Sequence, residues 1–238
     1  INRTVGKRTM ATATLKLFLA CGDPKRLRTA ELSNWTGKAV AGPRSEFDKV
    51  LQRDESLSPG VYFLTGIDPD SNKPAIYIGE AECIRDRIKY HLGRDFWNQV
   101  VFFITKDENL TKAHIKYLEG ILIERAMKAG ASIVMNAASS GAKLPESDAA
   151  EMDVYLEKCL QLLPVLGVTV FEQPVDPKSD TEELLYCRIK GLEATGKRTA
   201  NGFVVFSGSQ AVLANRPSAK RMGEKRDELV EKGILVEQ

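Results

Sequence analysis

Two tyrosines, one arginine and one glutamate carry side chains of the types that phosphodiester chemistry uses. Tyr62 ends the tripeptide Gly60-Val61-Tyr62 and Tyr77 begins Tyr77-Ile78-Gly79, each inside a short apolar run of strand character. Arg87 follows Gly79 within a stretch that places Ile84, Ile88 and Leu92 at helical spacing. Glu119 lies one position beyond Leu118, on the flank of the apolar stripe of a later helix. The chemistry such a set can do is attack on a phosphodiester. A phenol titrates near 10 and serves as a base near neutral pH only beside a cation. A guanidinium supplies that cation and also grips phosphate in a fork. A carboxylate half-buried beside a sheet is costly unless it is paired or binds a cation. One such carboxylate, with water and phosphate oxygens, completes an octahedral Mg2+ site. Together these groups meet the needs of hydrolysis: a deprotonated water, a neutralised phosphate and help for the departing oxygen.

These parts, in this order, resemble the GIY-YIG nucleases. Gly60-Val61-Tyr62, Tyr77-Ile78-Gly79, Arg87, Glu119 and Asn136 carry the resemblance, within a stretch covering about a third of the chain. The resemblance implies a small three-stranded antiparallel sheet with flanking helices and one divalent metal, Mg2+ or Mn2+, held by Glu119. It implies Tyr62 and Tyr77 at the catalytic pocket, Arg87 as the phosphate-binding cation, and Asn136 as support for the phosphate or the metal shell. His91, one helical turn beyond Arg87 on the same face, is expected to assist the tyrosine. The sequence departs from the family pattern at Val61, one methylene smaller than isoleucine, and at Glu80, which puts a negative charge beside the expected phosphate. The stretch from Glu119 to Asn136 is also longer than in compact members. The activity implied is that of an endonuclease hydrolysing DNA. A nucleic-acid-binding or regulatory module of the same fold with little cleavage is the alternative, and RNA is an alternative substrate, because the chemistry reads only the phosphate.

Around this core the chain reads as α+β, with a β-rich extension over residues 1–55, the core over 56–137, an acidic helix and linker over 138–180, and a small basic C-terminal domain over 181–238. Residues 13–20, Leu27–Leu32 and Lys38–Ala41 have strand patterns, and 45–53 forms a short helix with Ser45 as its N-cap. VYFLTG, AIYIG and VVFFIT are the three core strands, with a helix over 82–92 between the second and third. The stripe Ile115, Leu118, Leu122, Ile123 and Ala126 predicts a helix over 111–129 that stops at Gly130. A second amphipathic helix is predicted over 146–163 and a strand over 168–171. Strands at LLYCRI and GFVVF, glycine turns at Gly196, Gly202 and Gly208, and a basic helix over 218–232 complete the C-terminal domain. That domain looks like one found behind GIY-YIG cores and has no established activity.

Composition supports a soluble globular protein: 43% of the 238 residues are hydrophobic and 28% charged. No apolar run reaches the roughly 20 residues that span a bilayer, and a cytoplasmic location is expected. Cys21, Cys83, Cys159 and Cys187 are widely separated and form no C-x-x-C pair, which argues against a zinc site or a disulfide framework. The net charge of +2 conceals polarity along the chain. Residues 1–44 hold nine basic and two acidic side chains, residues 146–183 two basic and ten acidic, and residues 184–226 nine basic and two acidic. Basic flanks suit a polyanion, with Arg85, Lys89, Lys197, Arg198, Lys220 and Arg221 expected to contact nucleic acid.

Overall fold

An apolar run such as Val100-Val101-Phe102-Phe103-Ile104 is stable as a strand only when both its faces are covered. In the computed structural model, which describes residues 12–136, 141–171, 184–189, 191–199, 202–212 and 220–236, this run occupies the middle of a seven-stranded sheet. The strands are β1 (Leu15–Leu19), β2 (Arg28–Leu32), β3 (Gly37–Pro43), β4 (Gly60–Ile67), β5 (Pro74–Ala81), β6 (Trp97–Thr105) and β7 (Ile133–Val134). Across the sheet they run β1-β2-β3-β6-β4-β5-β7. Every neighbouring pair is antiparallel except β5 and β7, which are parallel.

The three strands expected over 56–137 are therefore present as β6-β4-β5, but as the middle of a larger sheet. The reason is β3, which pairs along β6 from Gly37 opposite Thr105 to Pro43 opposite Gln99. An uncovered edge of that apolar strand would be an open template for another chain, and the N-terminal strands close it. β7 is too short for its alternation to show in the sequence.

Both faces of the sheet are covered. Helices α1 (Phe47–Leu51) and α2 (Ile84–Lys89) pack Phe47, Val50, Ile84 and Ile88 against Tyr62, Leu64, Val100, Phe102 and Ile104. On the other face α3 (Lys112–Ala129) and α4 (Glu146–Leu162) bury Ile115, Leu118, Leu122, Leu156 and Leu162 with Val61, Phe63, Val101 and Phe103. Alternation along β4 thus sends Tyr62 to the α2 face and its neighbours to the α3 face. Thr111 caps α3 by accepting from the His114 amide, the His114 ring reaches back to the Thr111 N–H, and Gly130 ends the helix at φ 63°.

Three local expectations are corrected. Ser45 caps nothing by its side chain: it lies in a 3-10 turn, and α1 begins after Glu46, whose carboxylate instead binds Arg26, Lys49 and the Leu27 N–H. The helix expected over 82–92 ends at Lys89. Residues 168–171 form no strand, because Leu166 and Val168 are drawn into the core under α4 as a turn.

The chain divides into units Ile1–Pro174 and Val175–Gln238. The second holds β8 (Leu185–Ile189), β9 (Leu192–Thr199) and β10 (Gly202–Val205), an antiparallel sheet in the order β10-β9-β8, and α5 (Lys220–Glu231). Gly196, expected in a turn, is inside β9. A Cβ there would lie 2.6 Å from the Phe203 ring and 2.5 Å from the Val204 carbonyl oxygen, so close cross-strand approach is what demands glycine. All four cysteines are free thiols. Among the described residues no helix is long and apolar enough to cross a membrane.

Candidate functional site

Register brings the two tyrosines together. Tyr62 of β4 faces Gly79 of β5, and Leu64 faces Tyr77, so the phenols occupy diagonal positions on one face. Their rings stack with centroids 6.0 Å apart and planes 18° apart. The Tyr62 ring lies across Gly79: a Cβ at that position would meet Tyr62 Cζ at 2.3 Å and its hydroxyl at 2.4 Å. Gly60 has the corresponding reason in backbone, since a Cβ there would lie 2.1 Å from the Phe103 carbonyl oxygen. The glycines of both tripeptides are thus space requirements of this sheet.

α2 and the turn after it complete the cluster. Because α2 ends at Lys89, His91 sits in the following turn rather than one helical turn along from Arg87. That turn drives the ring inward: His91 is 4% exposed, and its Nε2 lies 2.9 Å from the Tyr62 hydroxyl oxygen. Its ring is also 4.5 Å from the Tyr77 ring. Its Nδ1 is buried without a hydrogen-bond partner. Arg94, which sequence reasoning passed over, places its guanidinium 5.0 Å above the Tyr77 ring. Its signal was only its position three residues beyond His91, in an exposed loop without periodicity. Arg44 holds this loop from outside by donating to the Leu92 carbonyl at 2.6 Å and the Trp97 carbonyl at 3.3 Å, while lying 4.5 Å over the Trp97 ring. The Trp97 indole N–H in turn donates to the His91 carbonyl at 2.9 Å.

The electrostatics follow from burial. Tyr62 is fully buried, and desolvation, then the neighbouring Tyr77, pushes its pKa well above the ordinary value while Arg87 pulls it back. Desolvation works to lower the Arg87 pKa, but Tyr62, Tyr77 and Glu80 outweigh it and the net shift is upward. His91 is held down to about 4, first by burial and then by the positive charges of Arg94 and Arg87.

A stability signature follows. Below its ordinary value of 6.5 an unfolded His91 takes a proton that the folded one refuses, so stability is full above pH 6.5 and falls as pH drops toward 4. Integrated over that window the loss is about 3 kcal/mol. Urea melts between pH 7 and 4 are expected to show this slope in the wild type and a flatter one in His91→Phe. Glu46 does not confuse the window: its bonds to Arg26, Lys49 and the Leu27 amide hold it at about 2, so it acts only below its ordinary 4.5.

The other sequence-selected residues fall in different places. Glu119 is half-buried on α3, which packs on β5, and it has an interaction partner. Asn136 grips β5: its Oδ1 accepts from the Ile78 N–H at 3.2 Å and its Nδ2 donates to the Ile78 carbonyl at 2.5 Å. These two bonds hold the backbone between Tyr77 and Gly79 and so help to position β5. The charge of Glu80 is offset by Lys112, 3.1 Å away, which also pairs with Glu82. Arg85 donates to the Ser56 hydroxyl at 3.0 Å and to the Arg53 carbonyl at 3.3 Å, tying α2 to the preceding turn. Lys89 is exposed beside Asp86, Lys197 is buried, and Arg198 is exposed on β9. Lys220 and Arg221 begin α5, and their side chains lie outside the described residues.

Among the described residues no three His, Cys, Asp or Glu side chains cluster as a metal site. The expected ligand is the single half-buried carboxylate of Glu119; a hard cation such as Mg2+ can take one carboxylate and fill its other positions with water and phosphate oxygens. A single carboxylate does not fit zinc in a closed protein cage.

Residues 185–238 match the family described as a domain of unknown function (DUF4357). No curated protein and no solved structure matches the chain.

Proposed function

We propose that the Tyr62-centred cluster is the active site of a GIY-YIG-type endonuclease that hydrolyses phosphodiester bonds in DNA, with Mg2+ or Mn2+ held by Glu119. The observation that carries this reading is the buried hydrogen bond between Tyr62 and His91, with Tyr77 stacked beside it and Arg87 within electrostatic reach. Structural tyrosines at strand ends point a hydroxyl at water, whereas this one meets a neutral imidazole among cations.

Each residue has a task in the reaction. Arg87 and Arg94 bind the phosphate oxygens, and Arg87 draws the Tyr62 phenol toward ionisation against the effect of burial. His91, neutral at physiological pH, hydrogen-bonds the Tyr62 hydroxyl and fixes its direction. Tyr77 packs the Tyr62 ring and forms one wall of the phosphate site. Asn136 holds β5 so that Tyr77 and Gly79 keep their register. When bound, the metal ion supplies charge neutralisation at the phosphate and at the departing oxygen.

A second reading, a nucleic-acid-binding module of this fold with little cleavage, is favoured by one observation: the Tyr62 side chain has no exposed surface. Incubation of labelled single-stranded DNA, duplex DNA and RNA with Mg2+, using the wild type and Glu119→Gln, separates the two. Cleavage of DNA by the wild type, reduced about 100-fold or more in Glu119→Gln, is the expected result. Equal cutting by both proteins removes Glu119 as the metal ligand. Binding without cutting by the wild type leaves the second reading, and preference for RNA reassigns the substrate.

A further inference from the structure

At one end of the large sheet β2, β3 and β6 border a cleft of about 510 Å3 lined by Lys25, Arg28, Arg44, Ser45, Asn98 and Gln99. We infer that this cleft is a second, separate binding site for a phosphate group.

The argument is one of uncompensated charge. Arg28 is only 7% exposed, and a guanidinium so placed ordinarily faces a carboxylate. Here it donates to two neutral acceptors, the Arg26 carbonyl at 3.1 Å and the Leu166 carbonyl at 2.8 Å. Arg44 likewise spends its donors on carbonyl oxygens of the loop before β6. Nearby cations are treated differently: Arg26 is paired with Glu46, Arg53 with Glu55, and Lys38 with both Glu31 and Glu55. Among the described residues the ion pairs leave out Lys25, Arg28 and Arg44. Burial lowers the pKa of Arg28, with no carboxylate opposing it. The carbonyls fix the orientation of each guanidinium without neutralising it, and two bonds leave three of the five N–H donors of Arg28. The lining contains three cations, two side-chain amides and a hydroxyl, and no carboxylate. An oxyanion supplies what this arrangement lacks, and a tetrahedral phosphate matches forked donors from more than one side. Phosphate could arrive as part of a nucleic-acid backbone or as a free phosphorylated compound.

The site is tested on the full chain in EDTA, where no metal-dependent cleavage occurs, so the outcome is independent of whether the tyrosine cluster cuts. Two probes are used at matched ionic strength: inorganic pyrophosphate, followed by calorimetry, and a short fluorescein-labelled single-stranded DNA, followed by anisotropy. Lys25→Glu changes an exposed side chain and preserves folding. Arg28→Met removes the buried charge, and circular dichroism checks its fold. Each variant is expected to weaken binding at least about tenfold. Weakened DNA binding assigns the cleft to a backbone phosphate, and weakened pyrophosphate binding alone assigns it to a free phosphorylated compound. Wild-type affinity for both probes in both folded variants overturns the inference, as does failure of the wild type to bind either.

Discussion

Tyr62→Phe is expected to fold and to lose about 1000-fold in phosphodiester cleavage, the scale of losing a positioned acid or base. The substitution keeps the ring, its stacking on Tyr77 and its cover over Gly79, and removes only the oxygen 2.9 Å from His91 Nε2. That oxygen meets the imidazole, and its ionisation is opposed by burial and by Tyr77 while Arg87 favours it. A structural penalty accompanies the change. His91 already has a buried Nδ1 without a partner, and losing the hydroxyl strands its other nitrogen, at about 1–3 kcal/mol. The two effects separate by measurement: urea melts read the second, while the single-turnover rate on DNA with Mg2+ reads the first at temperatures where the variant is folded. Affinity for DNA in EDTA is expected to stay near that of the wild type. A Tyr62→Phe enzyme cutting within tenfold of wild type would mean that the hydroxyl serves packing alone.

The largest stability effect is expected from Gly79→Ala, which should destabilise the first unit by about 3 kcal/mol or more, beyond the usual range for an overpacked site. For a chain of this size that is a drop of roughly 6–12 °C in melting temperature. Elsewhere in a strand, alanine in place of glycine gains about 0.5–1 kcal/mol, so the sign itself is diagnostic. The new methyl would lie 2.3 Å from Tyr62 Cζ, and the ring has no room to retreat. It is fully buried, stacked on Tyr77, bonded to His91 and backed by Phe102 on the neighbouring strand. A double-variant cycle gives the decisive comparison. Tyr62→Leu removes the outer ring, so Gly79→Ala should be much milder in that background, with a coupling of about 1–3 kcal/mol. Additive losses would show that Gly79 is required for another reason.

Much of the α2 side was readable from residue order, and much of its meaning was not. The expectation that His91 rides one helical turn after Arg87 had the wrong local geometry. α2 stops at Lys89, and the turn that follows, pinned by Trp97 and Arg44, is what buries the imidazole. Asn136 was selected as support for a phosphate or metal, and its grip on β5 is visible only when its amide is seen against the Ile78 backbone. Arg85 was selected for its charge, and its bonds to a serine hydroxyl and a carbonyl are likewise visible only in the fold. Charge and spacing identify residues able to bind phosphate. They do not reveal which of those residues the fold has already occupied.

Local periodicity was enough to set the kind and approximate extent of most elements, because period-2 and period-3.6 patterns report burial one strand or helix at a time. It also placed the two tyrosines at strand positions and Glu119 on a helix flank. Register lay beyond it: sliding β5 by one residue would send Tyr77 to the opposite face, and nothing in the tripeptides forbids that. The closure of β6 by β3, the stacking of Tyr62 over Gly79 and the carbonyl-bound arginines of the cleft join residues far apart in the chain. Such pairings depend on which surfaces exclude water from one another, so the assembled sheet, rather than any segment of it, decided them.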